Sequence, residues 1–194
     1  MPSQKRITRA AIIDTAVKIL RDEGYERVNA RRIAGELLCS TQPIYSEFAN
    51  MDELKAELKR AAERCYTEKV TRYLARSELT PYMAYGLGYL CFAKEEKELF
   101  RYLYMRDRNG GKSIDDVHIP QIIEVMIGQY GIPEETARRF HNDMSIYAHG
   151  LAVLLSTGYM DMSEEQLIER LDMEFVALSG AYGVPDNIRK TVTA

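Results

Sequence analysis

Residues 30–48 read ARRIAGELLCSTQPIYSEF, and two short helical patterns lie inside them. Asn29 stands where a side-chain oxygen can cap a helix over 30–37, with Ile33, Ala34 and Leu37 on its inner side. Ser40 is placed to cap a second helix over 41–47, with Ile44 and Phe48 inward. Pro43 then falls in the first turn, where a missing N–H has no intrahelical partner to lose. About three residues join the two, which is the spacing of a helix-turn-helix. The second helix is short and polar outside, which suits a helix that enters a major groove with its first residues on base edges. Thr41, Gln42 and Ser46 are free to hydrogen-bond in that reading, and the Tyr45 hydroxyl can meet a phosphate. Gln pairs bidentately with adenine, and a Thr methyl can touch a thymine methyl.

Outward from this pair, helical spacing recurs along the whole chain and no alternating strand pattern appears. Ile12, Ile13, Ala16, Val17 and Leu20 form one stripe over 7–23, stopped by Gly24. Asn50 and Glu53 resemble a capping box for a helix running to about Leu74. Thr80-Pro81 opens the next helix, 81–94, followed by 96–106. A loop over 107–116 (DRNGGKSIDD) precedes helices near 119–130, 134–157 and 164–181, the first two stopped by Gly131 and Gly158. Ser163 and Gln166 make a capping box for the last, which Gly183 and Pro185 end. The expected fold class is all-α: an N-terminal three-helix domain (1–50), a linking helix (51–80) and a larger helical domain (81–194).

Of the 194 residues, 46% are hydrophobic and 28% charged, so the chain can bury a core and stay soluble. It has no long apolar run and no secretory leader pattern, and its three cysteines (Cys39, Cys65, Cys91) lack paired-ligand spacing. A cytoplasmic location without disulfides or zinc is expected. Residues 1–50 hold eight basic and six acidic side chains (+2), while the remainder holds 18 and 23 (−5). This asymmetry permits a local basic surface on an acidic protein. There is no Gly-rich phosphate loop with its strand and helix, no metal-ligand spacing and no nucleophile motif, so neither an enzyme nor a cofactor is expected. His141 and His149 are eight residues apart and about 80° off on a helix, a poor metal pair.

The run from Ala10 to Leu54 resembles the N-terminal domain of the TetR family of bacterial transcriptional regulators. The matching residues are Gly24-Tyr25, Asn29, Arg31-Arg32-Ile33-Ala34, Ser40, Ile44-Tyr45 and Phe48, in order and in register. The resemblance implies DNA contacts from Lys5, Arg6, Arg31, Arg32, Ser40, Thr41, Gln42, Pro43, Tyr45, Ser46 and Lys55. The chain also departs from the family pattern. Leu38 replaces a frequent turn glycine and would be strained at positive φ by about 1 kcal/mol. Glu47 replaces a frequent histidine, and Ala49 and Met51 replace frequent basic residues. Each lost phosphate contact flattens the salt slope by about 0.9.

For the rest of the chain the resemblance implies a small-molecule cavity and a dimer seam. Tyr85, Tyr89, Phe92, Phe100, Tyr104, Met126, Met144, Tyr147 and His149 are the candidate ligand-binding residues, although most such side chains serve a core. Ala148, Ala152 and Leu155 on one helix, with Leu167, Leu171, Phe175 and Leu178 on the next, are the candidate interface, or else close the monomer's own core. A dimer is favoured because a single helix-turn-helix covers too little DNA for firm specificity. The function implied is a homodimeric repressor, released from a palindromic operator by an apolar or amphipathic molecule through movement of the linking helix. The alternative is a TetR-like protein with weak or lost DNA binding that acts through protein partners.

Overall fold

The computed structural model describes residues 7–106 and 116–184, so Lys5, Arg6, most of the 107–116 loop and the C-terminal tail lie outside the described residues. Within the described residues the chain forms nine α-helices and no strand: α1 (Arg9–Glu23), α2 (Ala30–Glu36), α3 (Gln42–Glu47), α4 (Met51–Leu74), α5 (Pro81–Glu95), α6 (Lys97–Tyr104), α7 (Ile119–Tyr130), α8 (Glu134–Ser156) and α9 (Glu164–Tyr182). A 3-10 turn, Tyr25–Arg27, joins α1 to α2.

Local chemistry places most boundaries. Asn29 accepts from the Arg32 amide, Thr80 from Met83, and Ser163 and Gln166 form the full reciprocal box. Gly131 and Gly183 end α7 and α9 in the left-handed region that glycine enters without a Cβ penalty. Two caps differ from expectation. Thr41, not Ser40, precedes α3; its backbone is already helical and its side chain caps nothing. Asn50 accepts from the Glu53 amide, but the Glu53 carboxylate turns back to the Ala49 amide, one residue earlier than a standard box.

The helices divide into two compact units: Met1–Cys65 with Glu98–Asp107, and Tyr66–Lys97 with Arg108–Ala194. The division falls within α4 and places Glu98–Tyr104 of α6 in the first unit.

In the first unit, α1 packs on the 3-10 turn, α2 and α3. Ile12, Ala16, Leu20, Ile33, Ile44, Phe48, Leu54 and Leu58 are fully or almost fully buried. Side chains such as Leu and Phe gain about 1.5–3 kcal/mol each from that burial. The α6 helix closes this unit on the 3-10 turn. Tyr102 stacks on Tyr25 at 4.9 Å between ring centres, and the Arg106 guanidinium lies 3.6 Å from the Tyr25 ring centre. Gly24, at φ +85, leaves room there: a Cβ would meet the Glu98 carboxylate at 3.2 Å.

In the second unit, α5 packs against α7, α8 and α9. Leu87, Leu90, Phe92, Met126, Phe140, Ala152 and Leu167 are buried there. The end of α4 approaches α5 closely at Gly88, where a Cβ would lie 3.2 Å from the Val70 Cα.

Candidate nucleic-acid interface and ligand cluster

The α3 helix offers its partner-free side to solvent because Ile44 and Phe48 hold the other side in the core. Gln42, Tyr45 and Ser46 are exposed, Tyr45 at 52%, while Thr41 and Pro43 are half-buried. Among these the Gln42 amide is unengaged by any other described residue. The Ser46 hydroxyl donates to the Gln42 carbonyl at 3.0 Å, so it offers a lone pair rather than its proton. Ser40 is exposed beside them in the turn.

The nearby cations differ sharply from one another. Arg31 is exposed and forms no ion pair among the described residues. Arg32 is tied to Glu23 at 2.5 Å and Glu36 at 2.9 Å, so its guanidinium is already engaged in the free protein. Glu36 also receives Lys18 at 2.5 Å. Hydrogen bonds from these cations hold the Glu36 carboxyl below its ordinary value. Lys55 has no ion pair among the described residues, and its ammonium lies 5.9 Å from the Tyr25 ring centre.

Arg9 is held by carboxylates rather than offered to solvent. In the structure it donates to both oxygens of Glu57 and to Glu53 Oε1 at 2.6 Å. It also donates to the Glu47 carbonyl and lies 4.0 Å over the Phe48 ring. It thus fastens the start of α1 to the end of α3 and the first turns of α4. Hydrogen bonds from Arg9 hold Glu53 and Glu57 below the usual carboxylate range.

The candidate ligand residues fall into three groups. Phe100 and Tyr104 stack on each other at 5.0 Å within the first unit. Phe92, Met126 and Met144 are buried in the core of the second unit. Tyr85, Tyr89 and His149 belong to a polar cluster of that unit. The Tyr89 hydroxyl meets His149 Nδ1 at 2.7 Å. Tyr85 and Tyr66 both donate to Asp116 Oδ2, and the His118 amide donates to Oδ1 at 2.9 Å. His141 joins through Tyr82 at 3.3 Å and Ser145 at 3.4 Å. Burial pushes its pKa below the ordinary 6.5, so it is neutral at pH 7. Tyr147 stands apart, with Arg170 and Glu174 of α9 as its charged neighbours. Sequence reasoning missed Tyr66, Asp116 and His118; their partners are 31 and 50 residues away, or lie at the edge of a loop.

The candidate interface residues lie mostly inside the single chain. Ala148, Ala152, Leu155, Leu167 and Leu171 are buried within the single chain. Phe175 and Leu178 are half-buried, and Phe175 packs on Tyr82, Tyr130 and Phe140. The large aliphatic stripe closes the monomer. The outward apolar positions are instead Ile146, 67% exposed, and Met173, 62% exposed, with Gly150, Ala177 and Gly180 also exposed.

A three-helix unit that buries one side of a short helix and presents polar tips on the other has the architecture of a helix-turn-helix. Residues 12–58 match the family model of bacterial regulatory proteins, tetR family. No curated protein matches the chain in sequence. Among solved structures it is similar in fold to a TetR-like transcriptional regulator from Rhodococcus sp. RHA1, with TM-score 0.62 and 16% identity over 93% of this chain and 98% of that one. It is also similar to SmeT, the repressor of the Stenotrophomonas maltophilia multidrug efflux pump SmeDEF, with TM-score 0.57 and 17% identity over 97% of this chain and 96% of that one. A third is the multidrug binding protein EbrR complexed with imidazole, with TM-score 0.55 and 19% identity over 86% and 93% of the two chains. At these identities the likeness is one of fold. Among the described residues no helix is long and apolar enough to cross a membrane.

Proposed function

We propose that the chain is a cytoplasmic homodimeric repressor that binds a palindromic operator and leaves it when a small molecule binds the second unit. The observation that carries the DNA part is the outer face of α3, where Gln42 and Tyr45 are exposed directly above the buried Ile44. Each subunit would lay α3 in one major groove, with Gln42 and Thr41 at base edges and Arg31, Tyr45 and Lys55 near phosphates. Ser40, Pro43 and Ser46 would border that contact. The half-sites would lie about 34–36 Å apart, or a multiple of that.

Exposed Ile146 and Met173, beside three exposed small residues, support an α8–α9 dimer face. The Tyr–His–Asp cluster supports a ligand site, since a few convergent polar groups among aromatic side chains are what such sites need. A ligand that favours the DNA-incompetent state shifts the population off the operator. The α4 helix has residues in both units and is one covalent path between them.

A second reading, weak DNA binding with action through protein partners, draws on the same surface. Arg32 and Arg9 are both engaged by carboxylates, which leaves few free cations around α3. Selection from random duplexes with purified protein separates the two. A two-fold symmetric site is expected; no enrichment, even at low salt, would favour the second reading.

A further inference from the structure

The second unit gathers a carboxylate and several aromatic rings without a cation. Asp116 accepts from the hydroxyls of Tyr66 and Tyr85 and from the His118 amide. No Lys or Arg among the described residues pairs with it. Three donors leave part of a carboxylate's four lone-pair positions open. Rings surround it: Tyr66 meets Tyr89 edge-on at 6.2 Å and Phe92 at 5.4 Å, while Tyr85 meets His118 at 6.4 Å and His141 at 5.8 Å. Tyr85, Tyr89 and Asp116 keep accessible surface although Tyr66, Phe92 and His118 are buried. His118 Nε2 is buried with no hydrogen-bond partner among the described residues.

We infer that the cluster around Asp116 takes the positively charged head of an aromatic or amphipathic organic cation. The inference rests on the small-molecule reading above and specifies its charge. A carboxylate held half out of water beside aromatic rings is under-compensated, and a cation supplies what it lacks. The rings of Tyr85 and Tyr89, which keep accessible surface, attract the same charge. An anion would meet Asp116 with no cation in the cluster to offset it. His118 Nε2 is left to hydrogen-bond a polar group on the ligand. His141 is kept neutral by burial, so it does not cancel the carboxylate at pH 7.

Three probes of one shape test the charge: phenyltrimethylammonium, the neutral tert-butylbenzene, and benzenesulfonate. Binding to the full-length protein is followed by calorimetry and by ligand-observed NMR up to millimolar concentration. The cation should bind at least about tenfold more tightly than the neutral probe. Asp116→Asn should remove most of that preference and leave tert-butylbenzene unchanged. Equal binding of cation and neutral probe, or tighter benzenesulfonate, overturns the cation inference and leaves the small-molecule reading in place. Binding by none of the three overturns both. If Asp116→Asn fails to fold by circular dichroism, the wild-type ranking of the probes alone decides.

Discussion

Arg31 and Arg32 are adjacent in sequence and opposite in circumstance. Arg31 is exposed and unpaired among the described residues, whereas Arg32 spans Glu23 and Glu36. Arg31→Ala should weaken DNA binding across all sequences and reduce the salt slope by about 0.9. Arg32→Ala should lower the thermal midpoint and leave the slope unchanged. Fluorescence anisotropy at several salt concentrations measures both, and equal slope losses would contradict the assignment. Arg9 gives a pH prediction. Glu53 and Glu57 sit below their ordinary 4.5 because Arg9 hydrogen-bonds them in the folded state. As pH falls through that value the unfolded chain takes up protons first, so the stability they contribute is full above it and lost below. Arg9→Met should therefore be less stable than wild type at neutral pH, and the gap should narrow towards about pH 3.5. Urea midpoints across that range check the sign; a gap that widens on acidification refutes it.

At the scale of elements, the turn between α2 and α3 carries a local cost. Leu38 has φ 53 and is 94% exposed, so its side chain packs on nothing that repays the left-handed backbone. Leu38→Gly removes about 1–2 kcal/mol of strain and adds about 0.5–1 kcal/mol of unfolded-state entropy. A net gain near 0.5 kcal/mol in denaturant unfolding is expected, with DNA affinity unchanged. This strain was legible in the sequence, as were nearly all helix ends, because caps and glycine stops act within a few residues. What was not legible is long-range. The placement of α6 depends on Tyr102 and Arg106 meeting Tyr25, some 77 residues away for the first pair and more for the second. The Tyr89–His149 pair spans 60 residues. No periodicity within one helix announces such partners.

At the scale of the whole molecule, regulation of a palindrome requires two copies. The sequence pointed to the α8 and α9 stripe richest in leucine, but the core needs that stripe most. The exposed stripe is smaller and mixed with glycine and alanine, and it is the face we propose for the second copy. Wild type should sediment as a dimer at micromolar concentration, and Ile146→Glu combined with Met173→Glu should give a folded monomer with reduced affinity for a two-fold site. A variant that remains dimeric would move the seam elsewhere.

The most direct test of the account is the salt dependence of affinity for a duplex selected by the purified protein, compared between wild type and Gln42→Ala. The account predicts affinity that falls steeply as salt rises, and a Gln42→Ala variant that loses its preference for the selected sequence while keeping the wild-type slope. Affinity that is indifferent to salt, or a variant that discriminates sequences as well as wild type, would contradict the claim that α3 reads DNA.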